Sequence, residues 1–389
     1  MPSSPSWARF AGRLATGVVE CVDLARDPQR LRTGLWFVVV DFEADLGGGT
    51  TGRPGRARAW RFAQVRDVTP DDDAPRADAV GPGWRGPPSD AWTSSMGRAE
   101  YEAAVARVRE HVRDGDVYQA NVCRVLSAPL PAGVAGAGSP EPDAAALARV
   151  LGAGNPAPYA AAIHVPAGGD VEPVWVVSAS PELYLRLQDG TVESGPIKGT
   201  ARTPDGLSDK DYAENVMITD LVRNDLQHVC RPGTVEVTDL CAVEAHPGLV
   251  HLVSRVRGVL SAPDAPDLWA HLLAGTFPPG SVSGAPKSSA LRIIRALEPV
   301  PRGPYCGAVG WVDGDAGTAE LAVGIRTFWW EHGMLRFGTG AGITWGSDPA
   351  AEWHETELKA ARLVGLASGP GTARVRSDDS TSPSSSDRT

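Results

Sequence analysis

Three charged residues near the carboxyl end of the chain are spaced so that one helix face could carry all of them. Glu352 and Glu355 are three residues apart, and Lys359 follows four residues after Glu355. Helical side chains at these separations are neighbours. Adjacent carboxylates repel unless a cation joins them, and Mg²⁺ is commonly held by one or two carboxylates plus the anionic oxygens of a substrate. The spacing therefore indicates a Mg²⁺ site, although a solvated Glu–Lys ladder has the same pattern.

A glycine-rich segment before this helix, and an arginine upstream of it, could bind an anion. Residues 338–342 are all small, so their backbone N–H groups can approach an anion closely. A tight turn would use the same residues. Arg326 stands inside an apolar run, residues 321–328, that predicts a strand. A buried arginine there needs an anionic partner such as a ligand carboxylate, whereas an edge strand would point it to water.

Lys198 is a candidate nucleophile because of its partly apolar surroundings. It stands between Ile197 and Gly199. An amine in such a place loses its proton more readily and can attack an electrophile. An ordinary turn lysine would have the same local sequence, so the residue types alone leave both interpretations open.

These residues need a scaffold, and the hydrophobic pattern predicts clusters of helices and strands. Helices are expected over residues 98–113, 209–225 (with Asp209 as N-cap), 268–274, 285–297 and 349–365. Strands are expected over residues 34–42, 117–127, 174–178, 182–187, 248–260, 306–313, 318–330 and 334–340. Because the elements cluster and do not alternate as βαβ units, the pattern favours an α+β fold with large antiparallel sheets.

Composition excludes several classes of protein. The chain has 389 residues, of which 42% are apolar and 22% charged, as in soluble globular proteins. Its net charge of -10 argues against nucleic-acid binding, which requires a basic face. The apolar run at residues 35–40 is far too short to cross a bilayer, and the five cysteines form no CxxC pair. We expect a cytoplasmic protein with reduced thiols that binds neither nucleic acid nor membrane.

Segments rich in Pro, Gly, Ser or Asp predict loops at residues 70–89, 129–143 and 204–208, and a disordered tail at residues 368–389. We therefore expect a short N-terminal region, residues 1–95, that belongs to the same fold as the rest. Residues 96–367 are expected to form the catalytic core.

Taken together, ten stretches of the chain resemble the chorismate-utilising enzymes. This family includes the large subunits of anthranilate synthase and aminodeoxychorismate synthase, isochorismate synthase and salicylate synthase. The stretches occur in one order, at residues 115–121, 180–182, 196–200, 213–225, 251–254, 277–287, 305–310, 325–327, 340–342 and 352–359. The resemblance implies large antiparallel sheets forming a sandwich flanked by helices, as in anthranilate synthase component I. It also implies chorismate as substrate.

Two positions favour one branch of that family. Members that make anthranilate carry a small residue where this chain has Lys198, whereas aminodeoxychorismate synthases carry Lys. Members that add water place a lysine base where this chain has Gln119, and members that add ammonia place Gln. The resemblance therefore implies amination at the ring carbon that carries the hydroxyl. Gly195 departs from the family, which commonly has Arg before the Pro-Ile-Lys run.

Three alternatives remain open at this stage. The first is anthranilate synthase component I, or a subunit that serves both aminations. The second is an isochorismate or salicylate synthase, which Gln119 disfavours. The third is a non-catalytic chorismate-binding regulatory protein, which the retained Glu182 and Lys198 disfavour.

The resemblance also implies roles for individual residues. Glu182 would protonate the leaving hydroxyl, Lys198 would attack the ring, and His251 would orient the ring or a catalytic group. Mg²⁺ would be held by Glu214 and Glu355, with Glu352 acting through water. The enolpyruvyl carboxylate would be held by Arg326, Tyr305 and the backbone at Gly340, Ala341 and Gly342. The other expected substrate contacts are Thr200, Ser281, Ser283, Gly284, Lys287 and Lys359.

An ammonia source is needed because most ammonia is protonated at neutral pH. No cysteine of this chain lies in a nucleophile-elbow sequence next to a downstream His and Glu, as a glutaminase would require. The resemblance therefore implies a separate glutamine amidotransferase subunit as partner.

Overall fold

The computed structural model describes residues 5–47, 52–68, 83–131, 141–246 and 249–369. The expected loops at residues 70–89 and 129–143 and the expected tail lie largely outside these ranges. The strands are β1 (Trp7–Phe10), β2 (Arg13–Asp23), β3 (Leu35–Val40), β4 (Ala57–Asp67), β5 (Thr93–Ser94), β6 (Gln119–Pro129), β7 (Tyr159–Val165), β8 (Val174–Ser180), β9 (Leu183–Gln188), β10 (Thr191–Gly195), β11 (Ile197–Ala201), β12 (Glu236–His246), β13 (Leu249–Val259), β14 (Gly284–Ala285), β15 (Ala308–Asp313), β16 (Thr318–Val323), β17 (Thr327–Glu331) and β18 (Met334–Ile343). The α-helices are α1 (Arg98–Arg113), α2 (Ala144–Gly154), α3 (Asp209–Gln227), α4 (Leu268–Thr276), α5 (Lys287–Leu297) and α6 (Pro349–Ala367).

Antiparallel pairing links these strands into one continuous sheet with two halves. One half runs β2–β4–β3–β15–β16–β9–β10–β13–β12, with β11 also paired to β13. The other half runs β1–β7–β8–β17–β18–β6, with β5 and β14 on β6. The pairing of β1 with β2 joins the halves. Helices are grouped on the outside, so the expected α+β class with large antiparallel sheets is confirmed.

The two halves pack face to face. On β8, Val176 points into a core that also contains Phe37 of β3 and Leu185 of β9. Its neighbour Val177 points the other way, into a second core with Leu147 of α2 and residues of α6. This alternation is the period of two that a strand with both faces buried requires. The result is a sandwich whose outer face carries α2 and α6.

Two expectations about local structure are wrong. Ser208, not Asp209, is the N-cap of α3, because its hydroxyl accepts a hydrogen bond from the backbone N–H of Asp211 at 3.3 Å while the Asp211 carboxylate accepts from Ser208 N–H. The expected strand over residues 318–330 is broken between β16 and β17. The chain there leaves one half of the sandwich and enters the other, and Arg326 adopts a left-handed backbone conformation with φ of 53° at the crossing.

The other expected helices and strands are present, with ends shifted by at most three residues. The sequence did not predict helix α2 or strands β1, β2, β4, β5, β7, β10, β11, β12 and β14. No helix among the described residues is long and apolar enough to cross a membrane.

Candidate active site

Gly342 lies at the point where several predicted site residues meet. It is on β18, paired in register with Asn121 of β6. A methyl group built on its Cα would lie 2.3 Å from Gln119 Nε2 and 3.0 Å from Lys198 Nζ. Such a methyl group would also lie 3.0 Å from the Asn121 side-chain oxygen. Because these polar groups crowd over the Cα, only glycine leaves them room, and the sequence-predicted Gln119, Lys198 and Gly342 form one cluster.

Lys198 lies on the short strand β11 and is partly buried. Burial lowers the pKa of its amine, and the neighbouring charge of Lys359 lowers it further. The charges of Glu214, Glu182 and Glu355 oppose this shift without reversing it. A larger fraction of the Lys198 amine is therefore neutral at a given pH than in an exposed lysine, as a nucleophile requires.

Glu182 is buried between β8 and β9. Its backbone is fixed at both ends: Val323 N–H donates to its carbonyl at 3.0 Å, and its own N–H donates to Ser180 Oγ at 3.3 Å. Burial raises the pKa of its carboxyl to about 7, against the opposing effects of a hydrogen bond from Ser281 and the charge of Lys198. Glu182 can therefore hold a proton near neutral pH and release it, which is the property of a general acid.

Three glutamates gather on the neighbouring helices. Glu214 of α3 and Glu352 of α6 both face Lys210, whose Nζ lies 3.6 Å and 3.4 Å from their carboxylates. Glu355 pairs with Lys359 at 2.5 Å, and Lys359 also donates to the carbonyl of Gly340 at 3.2 Å. Glu352 is therefore buried beside Lys210, whereas Glu355 and Lys359 form an i,i+4 ion pair whose side chains are about half exposed.

The donor set of these glutamates suits Mg²⁺ only with help from a ligand. One oxygen of Glu214, Oε1, is buried and has no hydrogen-bond partner among the described residues. Burial raises the pKa of this carboxyl. In the part of the chain that the structure describes, no group of three or more His, Cys, Asp or Glu side chains is arranged to hold a metal by itself. An ion here would draw its remaining ligands from water and from a bound anion, as Mg²⁺ commonly does.

Arg326 and His251 line a small pocket next to the cluster, together with Arg362 and Pro181. Burial lowers the pKa of the Arg326 guanidinium, and the charge of Glu182 partly offsets this. The His251 imidazole is buried and its Nδ1 shares a hydrogen bond of 2.8 Å with Thr200 Oγ1. The pocket therefore offers a desolvated cation that could bind a carboxylate.

Three other residues predicted to contact the substrate form hydrogen bonds within the protein. Lys287 Nζ donates to Asp225 at 2.8 Å and to the carbonyl of Thr276 at 3.1 Å. Ser283 is fully buried and its hydroxyl donates to the carbonyl of Pro279 at 3.0 Å. Ser281 is hydrogen-bonded to Glu182, as described above. These hydrogen bonds fix the side chains of Lys287, Ser283 and Ser281 in place.

Two further predicted positions act through close packing. A methyl group on Gly284 would lie 2.3 Å from the carbonyl oxygen of Gln119, so the backbone of β14 passes directly beside β6. Tyr305 is buried, and its ring lies where a side chain on Gly338 would be, 2.0 Å from the position of such a methyl group. Burial, with Cys123 and Cys306 nearby, raises the pKa of its phenol well above the usual value.

Sequence reasoning missed two residues of the site. Lys210 bridges Glu214 and Glu352, and its separation of four residues from Glu214 was a signal for a helical ion pair. Asn121 hydrogen-bonds the Gln119 side chain at 3.1 Å. Residues two apart on a strand share a face, so the strand predicted over residues 117–127 already placed this asparagine beside Gln119.

Comparison with known proteins identifies relatives of this chain. Residues 62–365 match a family described as chorismate binding enzyme. The chain is 39% identical over 292 residues to anthranilate synthase component 1 of Streptomyces coelicolor, covering 70% of this chain and 52% of that protein. It is 35% identical over 287 residues to aminodeoxychorismate synthase component 1 of Klebsiella aerogenes, covering 70% and 59%. It thus spans little more than half the length of these relatives.

The fold has counterparts among solved structures. A structure of anthranilate synthase component I from Streptococcus pneumoniae superposes with a TM-score of 0.69 at 22% identity, covering 94% of this chain and 93% of that one.

 A second structure, that of a putative 2,3-dihydroxybenzoate-specific isochorismate synthase from Bacillus anthracis, superposes with a TM-score of 0.71 at 22% identity, covering 93% of this chain and 95% of that one. At this level of identity the likeness shows the fold alone, and it agrees with the sandwich described above.

Proposed function

Because this chain belongs to the chorismate-binding enzyme family, we propose that it replaces the ring hydroxyl of chorismate with an amino group, the reaction of aminodeoxychorismate synthase component 1. The observation that carries the proposal is the meeting of Lys198 and Gln119 over Gly342. A lysine with a lowered pKa supplies a nucleophile for the ring, and the glutamine supplies a neutral polar group where a water-adding enzyme needs a base. Glu182 supplies the acid within the same site.

Chorismate would bind through its two carboxylates. The desolvated guanidinium of Arg326 suits the enolpyruvyl carboxylate, because it can donate two parallel hydrogen bonds. The ring carboxylate would lie toward Glu214, Glu352 and Glu355, with Mg²⁺ between the anions. When bound, Mg²⁺ would neutralise charge and fix the position of the ring carboxylate.

The first chemical step would couple Lys198 and Glu182. The neutral amine of Lys198 attacks the ring carbon at the far end of the conjugated system, and the double bonds shift toward the carbon that carries the hydroxyl. The bond from that carbon to oxygen breaks, and the hydroxyl leaves as water with the proton of Glu182. The covalent intermediate divides one difficult substitution into two easier steps.

The second step would reverse the shift. Ammonia forms a bond to the carbon that carried the hydroxyl, the double bonds return, and the bond from the ring to Lys198 Nζ breaks. The proton that ammonia loses returns to the Glu182 carboxylate, and Lys198 is regenerated. The sum of the two steps is chorismate plus ammonia giving aminodeoxychorismate plus water.

A second candidate function is anthranilate synthase component 1. The observation in its favour is that a relative of this name from Saccharolobus solfataricus is 45% identical over 197 residues, covering 48% of this chain and 46% of that protein. The two activities differ in the fate of the enolpyruvyl group, because anthranilate formation releases pyruvate. Incubation with chorismate, ammonium and Mg²⁺, with pyruvate measured by lactate dehydrogenase, separates them. The proposed function requires chorismate to be consumed without release of pyruvate. Release of one pyruvate for each chorismate consumed would favour anthranilate synthase.

We expect the purified chain to use ammonium and to ignore glutamine. Burial raises the pKa of four of its five thiols, to about 12 in Cys21, to about 11 in Cys230, and also in Cys123 and Cys241. A glutaminase needs a thiolate nucleophile. Amination should be measured with each nitrogen source in turn, and a glutamine amidotransferase subunit is the partner proposed to supply ammonia. Turnover with glutamine and no second protein would contradict this prediction.

We expect Mg²⁺ to be essential and Glu355→Gln to raise the Mg²⁺ concentration needed for half-maximal activity by about tenfold or more. The substitution removes one anionic donor from the glutamate cluster. Mg²⁺ binding in the presence of chorismate should be measured by calorimetry beside activity. Glu357→Gln is the matched control, because Glu357 is on the same helix, half exposed, and faces His354. Full activity of the wild type in excess chelator would exclude the metal.

A further inference from the structure

The direction of the hydrogen bonds around Gln119 is set by a backbone carbonyl. The Asn121 amide nitrogen, Nδ2, lies 3.4 Å from the carbonyl oxygen of Ser281. A carbonyl can only accept, so Asn121 must turn its nitrogen toward Ser281 and its oxygen away. That oxygen accepts from Gln119 Nε2 at 3.1 Å. The orientation of one amide therefore dictates the orientation of the next.

These hydrogen bonds leave the side-chain oxygen of Gln119 without a partner. Gln119 is fully buried, and its Oε1 has no hydrogen-bond partner among the residues that the structure describes. A buried acceptor without a partner costs free energy, and such groups are uncommon unless a ligand or water completes them. The amide nitrogen, Nε2, lies over Gly342 beside Lys198 Nζ, so the unpaired oxygen bonded to the same carbon lies at the proposed site.

Asn121 is itself held rigidly. Its N–H donates to the carbonyl of Ser283 at 2.9 Å, and its carbonyl accepts from Arg302 at 3.2 Å. Arg302 is fully buried and paired with Glu298. A rotation of the Asn121 amide would bring its oxygen against the Ser281 carbonyl and turn two acceptors toward each other. The fixed backbone of Asn121 and the Ser281 carbonyl therefore favour one orientation of the Asn121 amide.

We propose that Asn121 is a positioning residue that fixes the Gln119 amide with its oxygen toward the incoming nitrogen nucleophile. The inference rests on the proposed amination. An acceptor can hold ammonia through one of its N–H bonds and leave the lone pair free to attack the ring. The reversed amide would point an N–H at that lone pair and block it. Asn121 thus acts through Gln119 on the use of ammonia and does not contact the ring chemistry itself.

The test is the effect of Asn121→Leu on kcat/KM for ammonium at saturating chorismate. Leucine has a similar volume but cannot accept from Gln119, so the Gln119 amide loses its fixed orientation. We expect kcat/KM for ammonium to fall about tenfold, the worth of about one hydrogen bond, while KM for chorismate changes by about twofold or less. In a Gln119→Leu background the same substitution should have no further effect on ammonium use, because the residue through which Asn121 acts is gone.

Asn121→Asp serves as a second variant that keeps the shape of the side chain. Burial beside the Ser281 carbonyl favours the protonated form of the new carboxyl, which donates its O–H to that carbonyl and accepts from Gln119 Nε2 with its other oxygen. We therefore expect kcat/KM for ammonium within about threefold of the wild type. Two results would overturn the inference: wild-type ammonium use by Asn121→Leu, or an equal loss in the presence and absence of Gln119. The Asn121 comparison needs only a measurable amination, and amination at either ring carbon provides it. If the wild-type chain aminates neither ring carbon, it is the proposed function that fails.

Discussion

Lys198→Ala is expected to lower the rate of amination by about three powers of ten or more, the usual consequence of removing a covalent nucleophile. Some rate should survive if ammonia attacks the ring directly. Chorismate and Mg²⁺ should still bind, because the carboxylate contacts lie on other residues. Lys198→Arg is the matched control. It keeps the positive charge but cannot lose its proton, so it should be as inactive as alanine. An active arginine variant would mean that Lys198 only positions the substrate through its charge.

The same hypothesis predicts a covalent species. Starved of ammonia, the wild-type chain should accumulate an adduct whose added mass equals chorismate less one water. The chain has only four lysines, Lys198, Lys210, Lys287 and Lys359, so peptide mapping can locate the adduct without ambiguity. Modification at any lysine other than Lys198 would show that Lys198 is not the nucleophile.

Glu182→Gln is expected to lower the rate of adduct formation by about two to four powers of ten, the range for loss of a general acid. Burial raises the pKa of this carboxyl to about 7, and the acid must be protonated to release water. The single-turnover rate of the wild type should therefore be lost as the pH rises through about 7. Deprotonation of Lys198 acts in the opposite direction, so the profile should be bell-shaped. In Glu182→Gln the falling limb should be absent.

Glu43→Gln controls for the effect of removing any buried carboxyl. Burial also raises the pKa of Glu43 to about 7, but this side chain accepts from the backbone N–H groups of Arg302 and Gly303. Its loss should lower stability and leave the midpoint of the pH profile unchanged. A Glu182→Gln variant with a wild-type falling limb would remove Glu182 from the role of acid.

The parts of the site that could be predicted from the sequence are those in which residue spacing along one helix determines which side chains lie together. The separation of Glu352 and Glu355 placed both carboxylates on one face of α6, and both lie at the site. Helix α1 also forms over residues 98–113, where the hydrophobic pattern predicted a helix. In each case the signal lies within a few turns of one helix, where neighbouring positions determine which side chains meet.

The remaining parts depend on contacts between distant segments. The sequence predicted Arg326 inside a continuous strand, because the residues on both sides are apolar. The strand is broken there because β16 pairs with β9 and β17 pairs with β8, in different halves of the sandwich. Likewise, the meeting of Gln119 with Gly342 follows from the register of β6 on β18, which no local pattern encodes.

The most direct test of the proposed function is the position of nitrogen in the product. The chain should be incubated with chorismate, Mg²⁺ and ¹⁵N-labelled ammonium, and the product examined by NMR and mass spectrometry. The proposal predicts ¹⁵N on the ring carbon that carried the hydroxyl, with the enolpyruvyl group retained. Nitrogen on the carbon beside the ring carboxylate, with or without loss of pyruvate, would contradict it and assign the chain to anthranilate synthesis.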